Sequence, residues 1–224
     1  MAAIDAMGGG MIENPPCQLY LISPLNVDGD FPAVLESALS AGSVAAFQFR
    51  VKDVSAHEAA RLATPLQAIC AVHDVAFIVN DSISLAKRLK ADGVHLGQGD
   101  GDVKAAREEL GPKAQIGVTC HNSRHLAMEA GEAGADYVAF GAFFPTTTKD
   151  VEHIAELETL EKWSKVMEIP CVAIGGITRE NAKPLIAAGA DFIAVCGAVW
   201  NDPAGPAVAV MAFNAVLAAT SASS

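Results

Sequence analysis

Three cations, two carboxylates and a run of hydroxyls stand out against an otherwise apolar chain. In "FQFRVKD", Gln48, Arg50 and Lys52 sit at i, i+2 and i+4, which in an extended segment puts them on one face. In "YVAFGAFFPTTTKD" an apolar run stops at Pro145 and gives way to Thr146, Thr147, Thr148 and Lys149. Arg50, Lys52 and Lys149 together carry enough positive charge to hold a di- or tri-anion. Asp81 in "FIVNDS" and Asp100 in "LGQGD" are carboxylates, and beside an anion they are unfavourable unless a cation bridges them to it. Mg2+ does so with one or two carboxylates plus the ligand's own oxygens.

Taken singly, each has a plainer reading. Arg50 and Lys52 could be a solvated strand end, Asn80-Asp81 a helix cap and Asp100 a turn residue. His95, inside "VHL", reads as a core histidine, and His121 as part of the turn before Asn122. What decides is whether the fold gathers these groups.

The elements that must position them alternate along the whole chain. Short apolar runs are strands: 18–23, 45–50, 76–81, 93–97, 115–120, 137–144, 171–176 and 192–200. Segments of helical period separate them. Ser55 with Glu58 three residues on is a capping-box start, and Pro65 predicts a kink or break in that helix. Three units end alike before the next strand, in "KADG" (Lys90 to Gly93) and "AGAD" (Ala133 to Asp136, Ala188 to Asp191). Eight strand–helix units with no linker between them predict a single (β/α)8 TIM barrel. A doubly wound open sheet is the alternative; it usually has fewer units, and no GxGxxG follows the first strand. The expected organisation is a flexible leader over 1–16, a barrel over 17–218 and a flexible tail over 219–224.

Composition narrows the function further. Of 224 residues 51% are hydrophobic, enough for a large core. Fifteen Lys and Arg against 26 Asp and Glu give a formal charge of −11, which argues against nucleic-acid or anionic-membrane partners. Any anion must be held by a local cluster of cations. Five cysteines without a CxxC pair read as reduced, buried thiols in a cytoplasmic protein. No signal peptide or membrane span is expected. A homo-oligomer is left open.

Barrel active sites lie at the C-terminal ends of the strands. There the chain places Gln48, Arg50 and Lys52; Asn80 and Asp81; Gln98 and Asp100; Thr119 and His121; the threonines and Lys149; Gly175 and Gly176; and Cys196 and Gly197. The cations and carboxylates read as a pyrophosphate–Mg2+ site. The glycines after the last two strands read as a separate monophosphate site built on backbone N–H groups. Two phosphorylated small-molecule substrates follow.

From about Gln18 to Trp200 the chain resembles the thiamine phosphate synthase family, also called thiamine-phosphate pyrophosphorylases. The matching stretches are "FQFRVKD", "FIVNDS", "ADGVHLGQGD", "IGVTCHN", "ADYVAFGAFFPTTTK", "VAIGGITRENA" and "AGADFIAVCGAV", in that order. The resemblance implies a transferase that joins an aminopyrimidine bearing a diphosphooxymethyl group to a thiazole phosphate. The products are thiamine phosphate and pyrophosphate. It implies that Gln48, Arg50, Lys52, Asn80, Thr119 and Lys149 hold the pyrimidine pyrophosphate and that Asp81 and Asp100 bind Mg2+. It places Thr146, Thr147, Thr148, Gly176, Cys196 and Gly197 on the thiazole phosphate, with Arg50, Lys52 and Lys149 as the catalytic cations. The implied chemistry is dissociative: pyrophosphate leaves and the thiazole nitrogen captures the pyrimidine cation. The chain departs from the family pattern at Ser82, where arginine is usual, at Gly197, where serine is usual, and in the acidic "DVEHIAELETLE" after Lys149. A thiazole tautomerase using His121 as general acid–base, or a non-catalytic phosphate-binding barrel, are the rival readings.

Overall fold

The computed structural model describes residues 16–146 and 153–221. Eight parallel strands close into a barrel in chain order. They are β1 (Gln18–Ile22), β2 (Ala46–Phe49), β3 (Ala76–Asn80), β4 (Gly93–Leu96), β5 (Gln115–His121), β6 (Tyr137–Phe140), β7 (Cys171–Ile174) and β8 (Phe192–Val195). The ring is sealed by β1 against β8, with Tyr20 opposite Ala194. Around it run α1 (Phe31–Ser40), α2 (Ala56–Val72), α3 (Ile83–Leu89), α4 (Val103–Leu110), α5 (Arg124–Glu132), α6 (Leu157–Val166) and α7 (Ala182–Ala187). A single turn, α8 (Gly197–Trp200), and α9 (Pro206–Ser221) complete the chain's described part. The expected TIM barrel is the fold observed.

Strand alternation divides the apolar residues into two cores. Leu19, Leu21, Phe47, Phe49, Phe77 and Val79 face outward and pack under the helices. Tyr20, Ile22, Ile78, Tyr137, Ala139 and Val172 fill the barrel interior. Because Phe47 and Phe49 face the helices, Gln48 between them must face inward, where it is buried.

The recurring aspartates pin the N-terminal end of the barrel. Asp92, Asp136 and Asp191 each stand just before an even-numbered strand. Each accepts, on Oδ2, a backbone N–H from the preceding strand: Phe77 (2.8 Å), Ile116 (2.6 Å) and Cys171 (2.7 Å). Each returns its own N–H to the same residue's carbonyl. Asp136 also pairs with Arg107 at 2.6 Å.

Four helices begin on a side-chain cap: Ser55 for α2, Ser82 for α3, Asp102 for α4 and Ser123 for α5. Four details differ from expectation. Pro65 does not break α2, which runs from Ala56 to Val72. Pro65 is exposed, so the carbonyl it leaves without a donor meets water, while buried Leu62, Leu66 and Cys70 hold the helix to the core. The sixth strand stops at Phe140, not Phe144, although Phe143 N–H still reaches Ile174 O. The eighth stops at Val195; the apolar run turns into α8 so that Trp200 Nε1 can donate to Ile22 O at 2.6 Å. Finally, α9 continues to Ser221, so Ala219 to Ser221, expected in the tail, are helical. The leader calls for residues 1–15 lie outside the described residues.

Candidate active site

Arg50 follows directly on β2, and its backbone is fixed by a residue at the end of β1. Ser23 Oγ accepts the Arg50 N–H at 2.9 Å and donates to Arg50 O at 3.0 Å. Ser23 is itself buried and donates its N–H to Gln48 O. The guanidinium lies near enough to Cys196, just past β8, for its charge to act on that thiol. Burial pushes the thiol up to about 11, and the Arg50 charge pulls the other way. Arg50 Nη1 is buried and has no hydrogen-bond partner, the one such side-chain atom among the described residues. A buried donor left unmatched costs about 1–3 kcal/mol, and more when charged. Such an atom is free to donate a charge-assisted hydrogen bond.

Lys52 lies three residues past the end of β2 and is exposed. Strand alternation therefore stops short of it, and the expected common face holds for Gln48 as a strand residue but is not imposed on Lys52 by pleating.

The carboxylates come from adjacent strands. Asn80 ends β3 opposite His95, and Asp81 turns into a left-handed conformation (φ 64°) with its N–H on His95 O at 2.8 Å. Ser82 is used as the α3 cap, its Oγ accepting the Leu85 N–H. Asp100, exposed after β4, folds back so that Oδ2 accepts the Gly97 N–H at 3.2 Å; a Cβ at Gly97 would collide with that carboxylate. Among the described residues no cluster of three or more His, Cys, Asp or Glu could hold a metal. Two carboxylates suit the donor set of a hard ion that takes its remaining ligands from water and ligand oxygens, which is the habit of Mg2+.

On β5, Thr119 is half-buried; Oγ1 meets His95 Nε2 at 2.8 Å, and its carbonyl accepts from Gln98 Nε2 at 2.6 Å. Across the mouth, Gly176 (φ 63°) lies against the chain leaving β6, where a Cβ would collide with Pro145 O and Phe144 O. Asn181 holds this turn by donating to Gly176 O at 3.0 Å and accepting the Thr178 N–H at 2.7 Å. Thr146, half-buried, therefore stands next to the Gly176 turn through Pro145. Cys196 Sγ donates to Ser23 O at 3.5 Å, and Gly197 opens α8. Thr147, Thr148 and Lys149 lie outside the described residues.

The thiamine monophosphate synthase family model matches residues 19–199. The chain belongs to this family. It is 71% identical to the thiamine-phosphate synthase of Erythrobacter litoralis over 201 residues, covering 88% of this chain and 94% of that one. The thiamine-phosphate synthase of Rhodospirillum centenum is 55% identical, with 90% and 98% covered. Among solved structures, a thiamine phosphate pyrophosphorylase from Pyrococcus furiosus superposes with a TM-score of 0.81 at 31% identity, covering 91% of this chain and 96% of that chain. The chain is thus an enzyme of thiamine biosynthesis, a transferase on a TIM barrel.

The groups that support the strand ends leave little sign in the sequence. Ser23 was readable as a polar residue closing the apolar "QLYLIS", yet its clamp on Arg50 spans 27 positions and leaves no local sign. Tyr20, Tyr137 and His95 were absorbed into apolar strands; all three are buried and polar at one end. His121 takes a left-handed conformation (φ 53°) and packs its ring against His153, centroids 4.8 Å apart. No helix of the described residues is long and apolar enough to cross a membrane.

Proposed function

We propose that the enzyme joins an aminopyrimidine carrying a diphosphooxymethyl group to a thiazole phosphate, releasing pyrophosphate. The observation that carries this reading is the buried, unpartnered Arg50 Nη1 at the C-terminal mouth. The methylene–oxygen bond breaks and its electron pair leaves with pyrophosphate. The 4-amino group of the ring donates electrons into the resulting cation, and the thiazole nitrogen supplies the pair for the new carbon–nitrogen bond. Arg50, Lys52 and Lys149 take the charge that develops on the leaving group, with Gln48, Asn80 and Thr119 fixing its orientation. Gly176, Cys196, Gly197 and Thr146 to Thr148 take the thiazole phosphate. Asp81 and Asp100 would hold Mg2+, which when bound neutralises charge on the phosphate oxygens. The thiol of Cys196 stays protonated, so it acts as a neutral wall group and not as a nucleophile. Five free cysteines, four of them buried, agree with a reducing cytoplasm.

A coupled assay for pyrophosphate release tests this. Release should require both substrates and Mg2+, with neither substrate sufficient alone. Isomerisation of a thiazole carboxylate phosphate without pyrophosphate release would replace this reading with the tautomerase one.

A further inference from the structure

Five side chains from five strands form one hydrogen-bonded chain through the barrel interior. Gln48 Nε2 on β2 donates to Tyr20 Oη on β1 at 3.0 Å. Tyr20 Oη meets Tyr137 Oη on β6 at 3.0 Å. Tyr137 Oη meets His95 Nδ1 on β4 at 3.1 Å, and His95 Nε2 meets Thr119 Oγ1 on β5 at 2.8 Å. Gln48, Tyr20, Tyr137 and His95 are buried; the chain reaches partial exposure at Thr119. The backbone makes room for it. A Cβ at Gly117 would collide with the Tyr137 ring, and the His95 ring stacks on Tyr137 with centroids 5.6 Å apart.

Counting protons gives the chain a direction. An amide nitrogen only donates, so Tyr20 Oη accepts from Gln48. The buried Tyr20 proton must then go to its other partner, Tyr137 Oη, and the Tyr137 proton in turn to His95 Nδ1. A neutral imidazole that accepts on Nδ1 carries its proton on Nε2, which donates to Thr119 Oγ1. The hydroxyl proton of Thr119 is left to point to the mouth. Both phenols stay protonated throughout, since burial pushes Tyr20 up to about 12 and Tyr137 well above its ordinary value. The opposite direction would turn the Thr119 proton inward and face an anion with lone pairs.

We propose that Gln48, Tyr20, Tyr137 and His95 form a one-way hydrogen-bond relay that holds His95 as its Nε2–H tautomer and presents Thr119 as a donor to an anionic ligand oxygen. Naming that oxygen as one of the leaving pyrophosphate rests on the function proposed above; the direction of the relay does not. Tyr20, Tyr137 and His95 are positioning residues in this scheme, acting through Thr119.

The direct readout is the tautomer of His95 in the full-length protein, by ¹⁵N–¹H correlation of labelled histidine, with His95→Asn providing the assignment. The relay requires a proton on Nε2 and a bare, accepting Nδ1. A proton fixed on Nδ1, or a ring exchanging between both forms, overturns it. Tyr137→Phe keeps the ring in the space beside Gly117 and removes one hydroxyl. It should release the His95 tautomer and lower kcat about tenfold, with KM changed far less, the scale of one lost hydrogen bond. Tyr20→Phe, one link further back, should act in the same direction and less strongly. In a Thr119→Val background Tyr137→Phe should cost nothing more, whereas additive losses would show that Tyr137 acts by packing alone. Titration with inorganic pyrophosphate separates the two readings. Binding with His95 protonated on Nδ1 sinks the relay and leaves the function standing. An Nε2–H tautomer without pyrophosphate binding upholds the relay's direction and sinks the assigned ligand.

Discussion

The two ends of the barrel treat polar groups in opposite ways. At the N-terminal end Asp92, Asp136 and Asp191 each close a two-bond exchange with a neighbouring strand, and Lys87 pairs with Glu109 at 2.8 Å. A recess of about 780 Å³ opens there, beside Ala71, Asp74, Lys90 and Lys113. Its Asp92, Glu109 and Lys87 already have protein partners. At the C-terminal end Arg50 Nη1 is buried without a partner. Left-handed backbone does not separate the ends: Asp53, Asp81 and His121 adopt it at the mouth, and Asp74 and Lys90 adopt it at the N-terminal end. The paired aspartates stabilise the barrel at one end; the unpartnered Arg50 Nη1 at the other supports the proposed anion site.

Raising the pH should act on both ends at once and have the largest effect on stability. Burial pushes Cys17, Cys70, Cys120 and Cys171 from 9.0 to about 12, and Tyr20 from 10.0 to about 12. A folded-state value above the unfolded one gives stability that is complete below pH 9.0 and drains as pH rises toward about 12. Cys196 at the mouth reaches only about 11, because Arg50 opposes its burial. The urea midpoint should therefore fall steadily above about pH 9; a midpoint that stays level to pH 11 would remove the argument.

Arg50→Met separates the ends most sharply in rate. Loss of one such electrostatic partner should lower kcat/KM by about 10²–10³, while the urea midpoint holds or rises because an unmatched buried charge is gone. Asp191→Ala is its mirror image at the other end. It strips the acceptor from the Cys171 N–H and should cost about 1–3 kcal/mol of stability, with kcat unchanged well below the melting temperature. An Asp191→Ala protein that lost activity but kept its midpoint would contradict the division between the ends. Gly176→Ala should cost about 1–2 kcal/mol for the left-handed backbone, and more for its collision with Pro145 O. Gly197→Ser should be the mildest. A Cβ there meets nothing nearer than Asn201 Nδ2 at 3.4 Å, so thermal denaturation should show a change within about 0.5 kcal/mol.

How far the sequence carried the argument follows the same division. Periodicity found every strand and the barrel, because buried parallel strands separated by amphipathic helices are a local signal. The helix start at Ser55 was readable from its cap. Strand ends were not: the apolar runs through Phe143-Phe144 and Val199-Trp200 leave the pleat, and runs that short do not distinguish a period of 2 from 3.6. The mouth residues could be named because they interrupt apolar runs at one recurring position. The groups that orient them could not, since Tyr20 lies 117 positions from Tyr137 and His95 lies 42 from it. Closure of the barrel, not spacing, makes them neighbours.

The claim that the C-terminal mouth is a preformed pyrophosphate site rests on Arg50. Calorimetric titration of inorganic pyrophosphate in Mg2+ buffer, into the wild-type protein and into Arg50→Met, tests it most directly. The account predicts one site per chain in the wild type and affinity at least about tenfold weaker in the variant, with its urea midpoint held or raised. Equal binding by the two proteins, or no binding by the wild type, would contradict it.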